Sequence, residues 1–375
     1  MGAVRVIEAI PSDLAFVVLV MQQLLNLSTL FTSAITIRAR ETANNVCSRC
    51  LAVLLAGGEE PLDLHSSSER RAQLPLRMGG LGLSSAREHR QAAYWASWAD
   101  TVGALRKCHP GTLANLMRPF TDLALPGTPP SAREAEQAAQ SLRLRGFQAP
   151  SWASLLGGTD GANPAKEEDS SLQSRRGWQR SASAAVDKRA FEMLFADLDT
   201  ASRALLLSQS GEGASCGLTV LPTGPDFVVP SEEFRVLLLR RLRLALPLTP
   251  TRCRCGGRLD SLGDHRSSCA QVGVLAQRAG PLEPAVARIC REAVARVATN
   301  VALRELNLDA PATDGRRIEV VANGLPLWRG AQIAIDTTLV SPVQRNGLPR
   351  AGAQARPALA LQQAKARKFR TYPEL

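Results

Sequence analysis

The sequence predicts an α+β protein, mostly α, with a helical N-terminal region, a zinc-stapled hairpin and a small α/β domain at its C-terminal end. Three observations carry that prediction. The apolar content leans on Leu, Ala and Val, and aromatics make up only 4% of residues, a composition that favours helices over sheets. Cys253, Cys255, His265 and Cys269 stand at metal-ligand spacing. After them come two strand-like runs, each carrying one acid, Glu319 in the first and Asp336 in the second.

At 375 residues the chain exceeds one typical core and suits two or three domains. Its 45% hydrophobic content is enough to fold, which excludes a chain disordered throughout. A net charge of +11 favours polyanionic partners, because neutralised phosphates release counterions. The excess is uneven. From Ser341 onward, Arg345, Arg350, Arg356, Lys365, Arg367, Lys368 and Arg370 face a single acid, Glu374. Two readings stand for that stretch, a solvated tail or a phosphate-contacting surface. The run Leu14–Met21 is too short to span a bilayer and ends at Gln22-Gln23, so no membrane partner is expected. Eight cysteines in a chain this long do not form a disulfide framework, and three clustered with a histidine suit an intracellular setting, the nucleus included.

Taken in order, the first helix is expected from Ser12 to about Ala56, started by Pro11-Ser12-Asp13 and stopped by Gly57-Gly58. Cys47 and Cys50 lie inside it without a second ligand pair. The glycine-rich stretch Leu74–Leu83 opens a helix at Ser84 or Ser85. No strand precedes it and no acid follows at ribose distance, so it is not a dinucleotide loop. Trp95 and Trp98 share a face of that helix, suited to a core or, alternatively, to stacking on bases. Pro126–Pro130 breaks the chain, and Ser131 with Glu134 forms a capping box for the next helix. These elements make residues 1–156 one helical region. Residues 157–176, rich in Gly, Asp, Ser and Lys, read as an exposed linker and domain boundary. A second helical region spans 177–250, with a helix capped by Ser231 whose Arg240, Arg241 and Arg243 are candidate phosphate contacts, as are Arg345, Arg367 and Arg370 further on.

Residues 251–275 hold the metal-ligand set. Three thiols and an imidazole close a tetrahedron around Zn²⁺, with Gly256-Gly257 and Gly263-Asp264 supplying the turns. All four positions are protein ligands, so such a site is structural. The opposing reading is three unlinked thiols beside a surface histidine. Residues 276–375 begin with an expected amphipathic helix, Pro281 to about Asn300. Two strands are expected next, Arg317–Val321 and Gln332–Val340, joined by a tight hairpin at Asn323-Gly324. Glu319 and Asp336 on neighbouring strands could share a Mg²⁺ ion, with Lys365 or Lys368 steadying charge on a phosphate. Equally, both acids suit an edge strand facing water.

The order Leu74-Pro-Leu-Arg-Met-Gly-Gly-Leu-Gly-Leu, then Cys-x-Cys-Gly, Gly-Asp-His and Cys, then a helix and two acidic strands, resembles the C-terminal part of non-LTR retrotransposon polyproteins. The resemblance covers roughly 250 residues. It implies a thumb and linker region, a zinc knuckle and a restriction-like endonuclease of the PD-(D/E)xK type, with DNA and element RNA as partners. Asp336 in Ile335-Asp336-Thr337-Thr338 matches the family's second acid. Arg316-Arg317-Ile318-Glu319 stands where the family carries Arg-Pro-x-Asp, so Glu319 departs from the pattern and Asp314 is a rival. The lysine expected after the second acid is replaced by Thr338, which implies a substitute from the downstream helix, Lys365 or Lys368, followed by Tyr372. The chain has no Asp-Asp pair, hence no polymerase motif. The resemblance is therefore to a truncated element that lacks the polymerase palm, with either a nicking activity or a non-catalytic nucleic-acid-binding role. A helical interaction protein with a zinc staple is the reading that remains without it.

Overall fold

Alanine-rich, leucine-rich segments dominate the first two thirds of the chain, and they fold as the composition dictates. The computed structural model describes residues 34–57, 60–64, 66–108, 110–157, 177–211, 213–222, 224–225, 228–249, 251–306, 308, 311–326 and 328–375. The expected helix start at Ser12, the run Leu14–Met21 and residues 158–176 of the expected linker lie outside them. The protein is mixed α+β and mostly helical, with one small antiparallel sheet. It divides into two compact units, the first comprising residues up to Leu198 with Gly213–Leu242, the second Asp199–Glu212 with Arg243–Leu375.

The first unit contains α1 (Ala34–Ala56), α2 (Ser66–Gln73), α3 (Ala86–Cys108), α4 (Pro110–Thr121), α5 (Pro130–Leu144), α6 (Trp152–Gly157) and α7 (Gln179–Asp197). The following α8 (Thr200–Ser208) belongs to the second unit, while α9 (Cys216–Thr219) and α10 (Ser231–Leu242) return to the first. Helix α3 is the axis of this unit and packs against α5 and α7. The contact is built from small residues, Ala92, Ala96 and Ala99 of α3 with Ala132, Ala135, Ala138 and Ala139 of α5, all essentially buried. Small side chains let the helix axes approach closely. Trp95 fills the centre, edge-on to Phe147 at 5.2 Å and to Trp178 at 5.6 Å. Trp98 packs tilted against Phe120, ring centroids 4.7 Å apart. Both indoles are therefore spent on packing rather than presented to bases. Because α7 packs on α3, the described residues on both sides of the expected linker belong to one unit, which runs to Leu198 and resumes over Gly213–Leu242.

Local starts and stops differ in instructive ways. Ser85 Oγ accepts the Glu88 N–H, as the expected start of α3 requires. The capping box at Ser131 does not form: Pro130 opens α5, with no side-chain cap bond. Pro at the first helical turn needs no cap for its missing N–H. The glycine-rich loop is folded on itself. A Cβ on Gly80 would lie 2.0 Å from the Leu74 carbonyl oxygen, so only glycine fits there. The Arg241 guanidinium, buried on α10, donates to the carbonyls of Gly80 and Leu76 at 2.9 Å each. By sequence Arg241 is a candidate phosphate contact. Its charge is instead held by backbone oxygens, and burial lowers its pKa.

The second unit ends in the sheet. Its elements after Arg243 are α11 (Asp264–Ser268), α12 (Val272–Ala279), α13 (Leu282–Glu292), β1 (Arg296–Ala302), β2 (Arg317–Asn323), β3 (Ile333–Ile335) and α14 (Leu359–Thr371). The order β1-β2-β3 is antiparallel throughout. Helix α13 stops at Glu292, and the strand β1 takes the residues expected to continue it. Val294 is left-handed at φ 67°, which ends the helix, and β-branched Val297, Thr299 and Val301 then alternate along the strand. The tight hairpin at Asn323-Gly324 is also absent, because the last rung to β3 is Ala322↔Ile333 and the connection runs from 324 to 332. Buried Leu325 draws that connection into the core beside Cys290, Ala295 and Ala322. The second expected strand, Gln332–Val340, keeps only three ladder residues.

Candidate functional site

The metal-ligand set is made by a minimal hairpin and one turn of helix. Leu259 N–H donates to Thr251 O at 2.9 Å and Cys253 N–H to Gly257 O at 2.8 Å, which places Cys253 and Cys255 around a tight reversal. Gly256 takes φ +84° there. Gly257 is required for a different reason: a Cβ on it would lie 2.6 Å from the His265 ring carbon Cε1. Gly263 at φ 73° leads into α11, which carries His265, and Cys269 follows at its end. Asp260 organises this turn by accepting the N–H groups of Leu262, Asp264 and His265 at 2.7–3.0 Å. Burial raises its pKa, but these donors prevail and lower it. Arg243 locks Asp264 at 2.7 Å, and Arg278 donates to the carbonyls of Ser267 and Cys269. Arg243, another candidate phosphate contact, is thereby occupied within the knuckle.

The four ligand atoms lie within 4.8 Å of one another. Cys253 Sγ is 3.8 Å from Cys269 Sγ, and Cys255 Sγ is 3.1 Å from His265 Nε2. A tetrahedron with zinc–sulfur bonds of about 2.3 Å has a sulfur–sulfur edge of about 3.8 Å, so the thiol pair stands at zinc distance. Cys253 is lowered to about 7, first by the Cys255 N–H and against its own burial, while burial and the neighbouring thiols raise Cys269 over the lowering effect of the Gln271 N–H. This cluster could hold a metal ion such as zinc. Cys47 and Cys50 offer no comparable group: burial pushes Cys47 up to about 11.

The acids are placed by register. Val320 pairs with Ile335 and Val321 with Ala334. Glu319 therefore stands opposite Asp336, one step beyond the ladder, and cross-strand partners share a face. Helix α13 packs on β1 and β2, with Ala322, Ile333 and Ile335 in its cluster. The acids share alternation with Val321 and Ala334, which cluster with Tyr372 at the end of α14. On that face Lys368 Nζ meets Asp336 Oδ2 at 2.5 Å, with the Asp336 side chain 13% exposed. Glu319 Oε2 accepts the Thr337 N–H at 2.7 Å and the Thr337 hydroxyl. Tyr372 donates to Arg317 O at 3.0 Å, and its pKa is raised by burial and then by the charges of Asp336 and Glu319.

Of the two candidate lysines, Lys368 reaches the acid pair, through Asp336. Lys365 is exposed, its ammonium 5.6 Å from the Phe369 ring. The rival acid Asp314 is held by Arg316 at 2.6 Å, and the same guanidinium takes Glu374 at 2.6 Å. This clamp, which also donates to Thr371 O, ties the end of α14 to the start of β2. Arg316 lowers both carboxyls below their ordinary range. Asn300 is left-handed at φ 54° opposite Glu319 and accepts Arg317 Nε on Oδ1 at 2.6 Å. Thr337 and Asn300 leave no sequence signal, since their roles depend on register. Arg345, Arg367 and Arg370 are exposed, whereas Arg240 is half-buried. Among the described residues the Cys/His set is the one group of three or more metal-ligating side chains; the acid pair offers two.

Comparison with family models, with curated proteins and with solved structures finds no match to this chain.

Proposed function

We propose that this protein binds nucleic acid and cuts DNA by metal-assisted phosphodiester hydrolysis, with Glu319, Asp336 and Lys368 as its working groups and a structural zinc at Cys253, Cys255, His265 and Cys269. The observation that carries the reading is the convergence of two cross-strand acids and a lysine on one face of the sheet, with Lys368 Nζ 2.5 Å from Asp336. The motif order and the net charge of +11 support it, and fit an origin in a non-LTR retrotransposon with element RNA as a second partner.

The donor set suits a hard cation in part. Carboxylate oxygens are Mg²⁺ ligands, and two carboxylates leave room for water and phosphate oxygens. A divalent ion held by Glu319 and Asp336 would supply Lewis acidity and lower the pKa of a nearby water. The chain's own groups do the remaining work. Lys368 keeps further N–H donors beyond its bond to Asp336, and these suit a phosphate oxygen whose charge grows as the P–O bond breaks. Thr337 fixes the Glu319 carboxylate by two donors, so its orientation is set before substrate arrives. Tyr372 packs with Val321 and Ala334 on the face that carries both acids.

Nicking of supercoiled plasmid in Mg²⁺ or Mn²⁺ tests the reading. Cleavage abolished by Asp336→Asn and Glu319→Gln, with far-UV circular dichroism unchanged, is the expected result. A second reading is favoured by the Arg316 clamp, which together with Lys368–Asp336 pins α14 to the sheet as a purely structural strut. In that case the protein binds nucleic acid without cutting it, and salt-dependent binding without nicking is the outcome.

A further inference from the structure

Beside the metal centre lies a half-open cleft of about 520 Å³, a volume within the range of small-ligand sites. Leu246, Leu248 and Leu259 give it an apolar lining, and Arg252 and Arg258 stand at its wall. The two arginines form a directly opposed pair in the hairpin, between the Thr251–Leu259 and Cys253–Gly257 hydrogen-bonded positions. Such non-hydrogen-bonded pairs bring side chains closest, and like charges placed there repel. Among the described residues neither guanidinium meets a carboxylate; Arg252 gives one N–H to Gly256 O at 3.3 Å, and the Arg258 side chain has no partner there. The nearby acids are already spent, Asp260 on three backbone N–H groups and Asp264 on Arg243. Arg254 and Arg266 add two more exposed guanidiniums to the same stretch, without a partner among the described residues.

We infer that this cleft seats an unstacked nucleotide of a single-stranded nucleic acid, one phosphate bridging Arg252 and Arg258 and the base lying on the leucine floor. Repulsion between the two arginines is relieved by a shared anion, so the fold itself marks where the phosphate goes. A concave apolar floor beside the charge selects a strand whose bases are free, since a duplex hides its base faces and presents phosphates to a flat surface. The inference rests on the nucleic-acid reading above but not on catalysis by the acid pair.

Fluorescence anisotropy with a labelled oligothymidylate, an oligouridylate and a duplex of equal length, titrated over salt, tests it. Arg252→Ala with Arg258→Ala should weaken single-strand binding about tenfold. The same pair should lower the logarithmic salt slope by about 0.7, the value for one single-strand phosphate. Lysine at both positions should restore much of the affinity, and Leu248→Asn should weaken the single strands while leaving the duplex unaffected. Should the alanine pair lose its metal, Arg258→Gln alone, at an exposed group with no protein bond, carries the same test. Unchanged single-strand affinity in these variants overturns the inference, as does tighter binding of duplex or of polyglutamate. If wild type does not nick plasmid yet these losses appear, the cleft stands and the nuclease reading falls; if plasmid is nicked while oligonucleotide affinity is unchanged, the nuclease stands and the cleft falls.

Discussion

The cysteine–histidine cluster and the acid pair are built on opposite plans. The four ligands of the first lie within seventeen residues of chain, and the props that orient them, Asp260, Gly257, Gly263 and Arg278 with Arg243 shortly before, come from the same short stretch or its neighbours. The second draws Glu319 from β2, Asp336 from just past β3, and Lys368 from a helix more than thirty residues on. A local site survives as long as its loop closes. An assembled site survives only while a strand register and a helix position are both maintained, and here the register rests on three rungs.

The largest expected effect falls on the local plan. Cys269→Ser, or a strong chelator applied to wild type, should remove the metal and melt residues 251–279 together, since structural zinc supplies about 10–16 kcal/mol in small sites. Metal content falling from about one zinc per chain to none, with loss of hydrogen-exchange protection confined to that stretch, is the signature. Metal-free protein with an intact knuckle would break the comparison. Next comes the assembled plan. Lys368→Ala should slow plasmid nicking about 10²–10³-fold, as for removal of one oriented charge donor. Lys365→Ala should leave the rate within about twofold, because its ammonium lies over Phe369. Equal losses in both would mean that charge, not placement, matters.

Gly257→Ala sharpens the local side further. Its new methyl would press on the His265 ring, and we expect metal affinity weakened about 10–100-fold, the range for disturbed ligand support, measured by competition with a chromophoric chelator. The smallest effect lies outside both sites. His89 Nε2 bonds Asp187 at 2.9 Å between α3 and α7, and its pKa is raised by Asp187 and by Ser85 O despite the lowering effect of burial. Its contribution is therefore fully present below the unfolded value of about 6.5 and lost as pH rises through the higher folded value. The unfolding midpoint of wild type should exceed that of His89→Gln by about 2–4 °C in acid and by less at alkaline pH, with metal binding and nicking unchanged.

What the sequence made legible follows the same division. Cys253, Cys255, His265 and Cys269 could be read from spacing, because a metal centre within one loop is a statement about adjacent residues. Glu319 and Asp336 could be nominated but not aligned, since only the Val320↔Ile335 rung shows that they share a face. The strand β1 was hidden inside an apparently continuous helical period, broken by the left-handed turn at Val294. The arginines misled where burial decides: Arg241 looks like any basic residue in a helix until its guanidinium is found on the Gly80 and Leu76 carbonyls. Trp95 could be assigned to the core from its face alone, though not its partners Phe147 and Trp178.

Glu319 accepts the Thr337 N–H where the ladder between β2 and β3 has stopped. A side chain thus stands in for the next backbone rung, and the carboxylate ends the strand as well as facing Lys368's partner. Reactive groups are commonly a burden on the fold, so that replacing them makes a protein sturdier. Here the trade should run the other way. Glu319→Gln would keep one acceptor oxygen for that rung, while Glu319→Ala would leave the edge of the sheet to fray and Asp336 to wander with it. Resistance to proteolysis at 333–340 and competence at the acid pair would then fall together in Glu319→Ala, while Glu319→Gln would lose the second and keep the first.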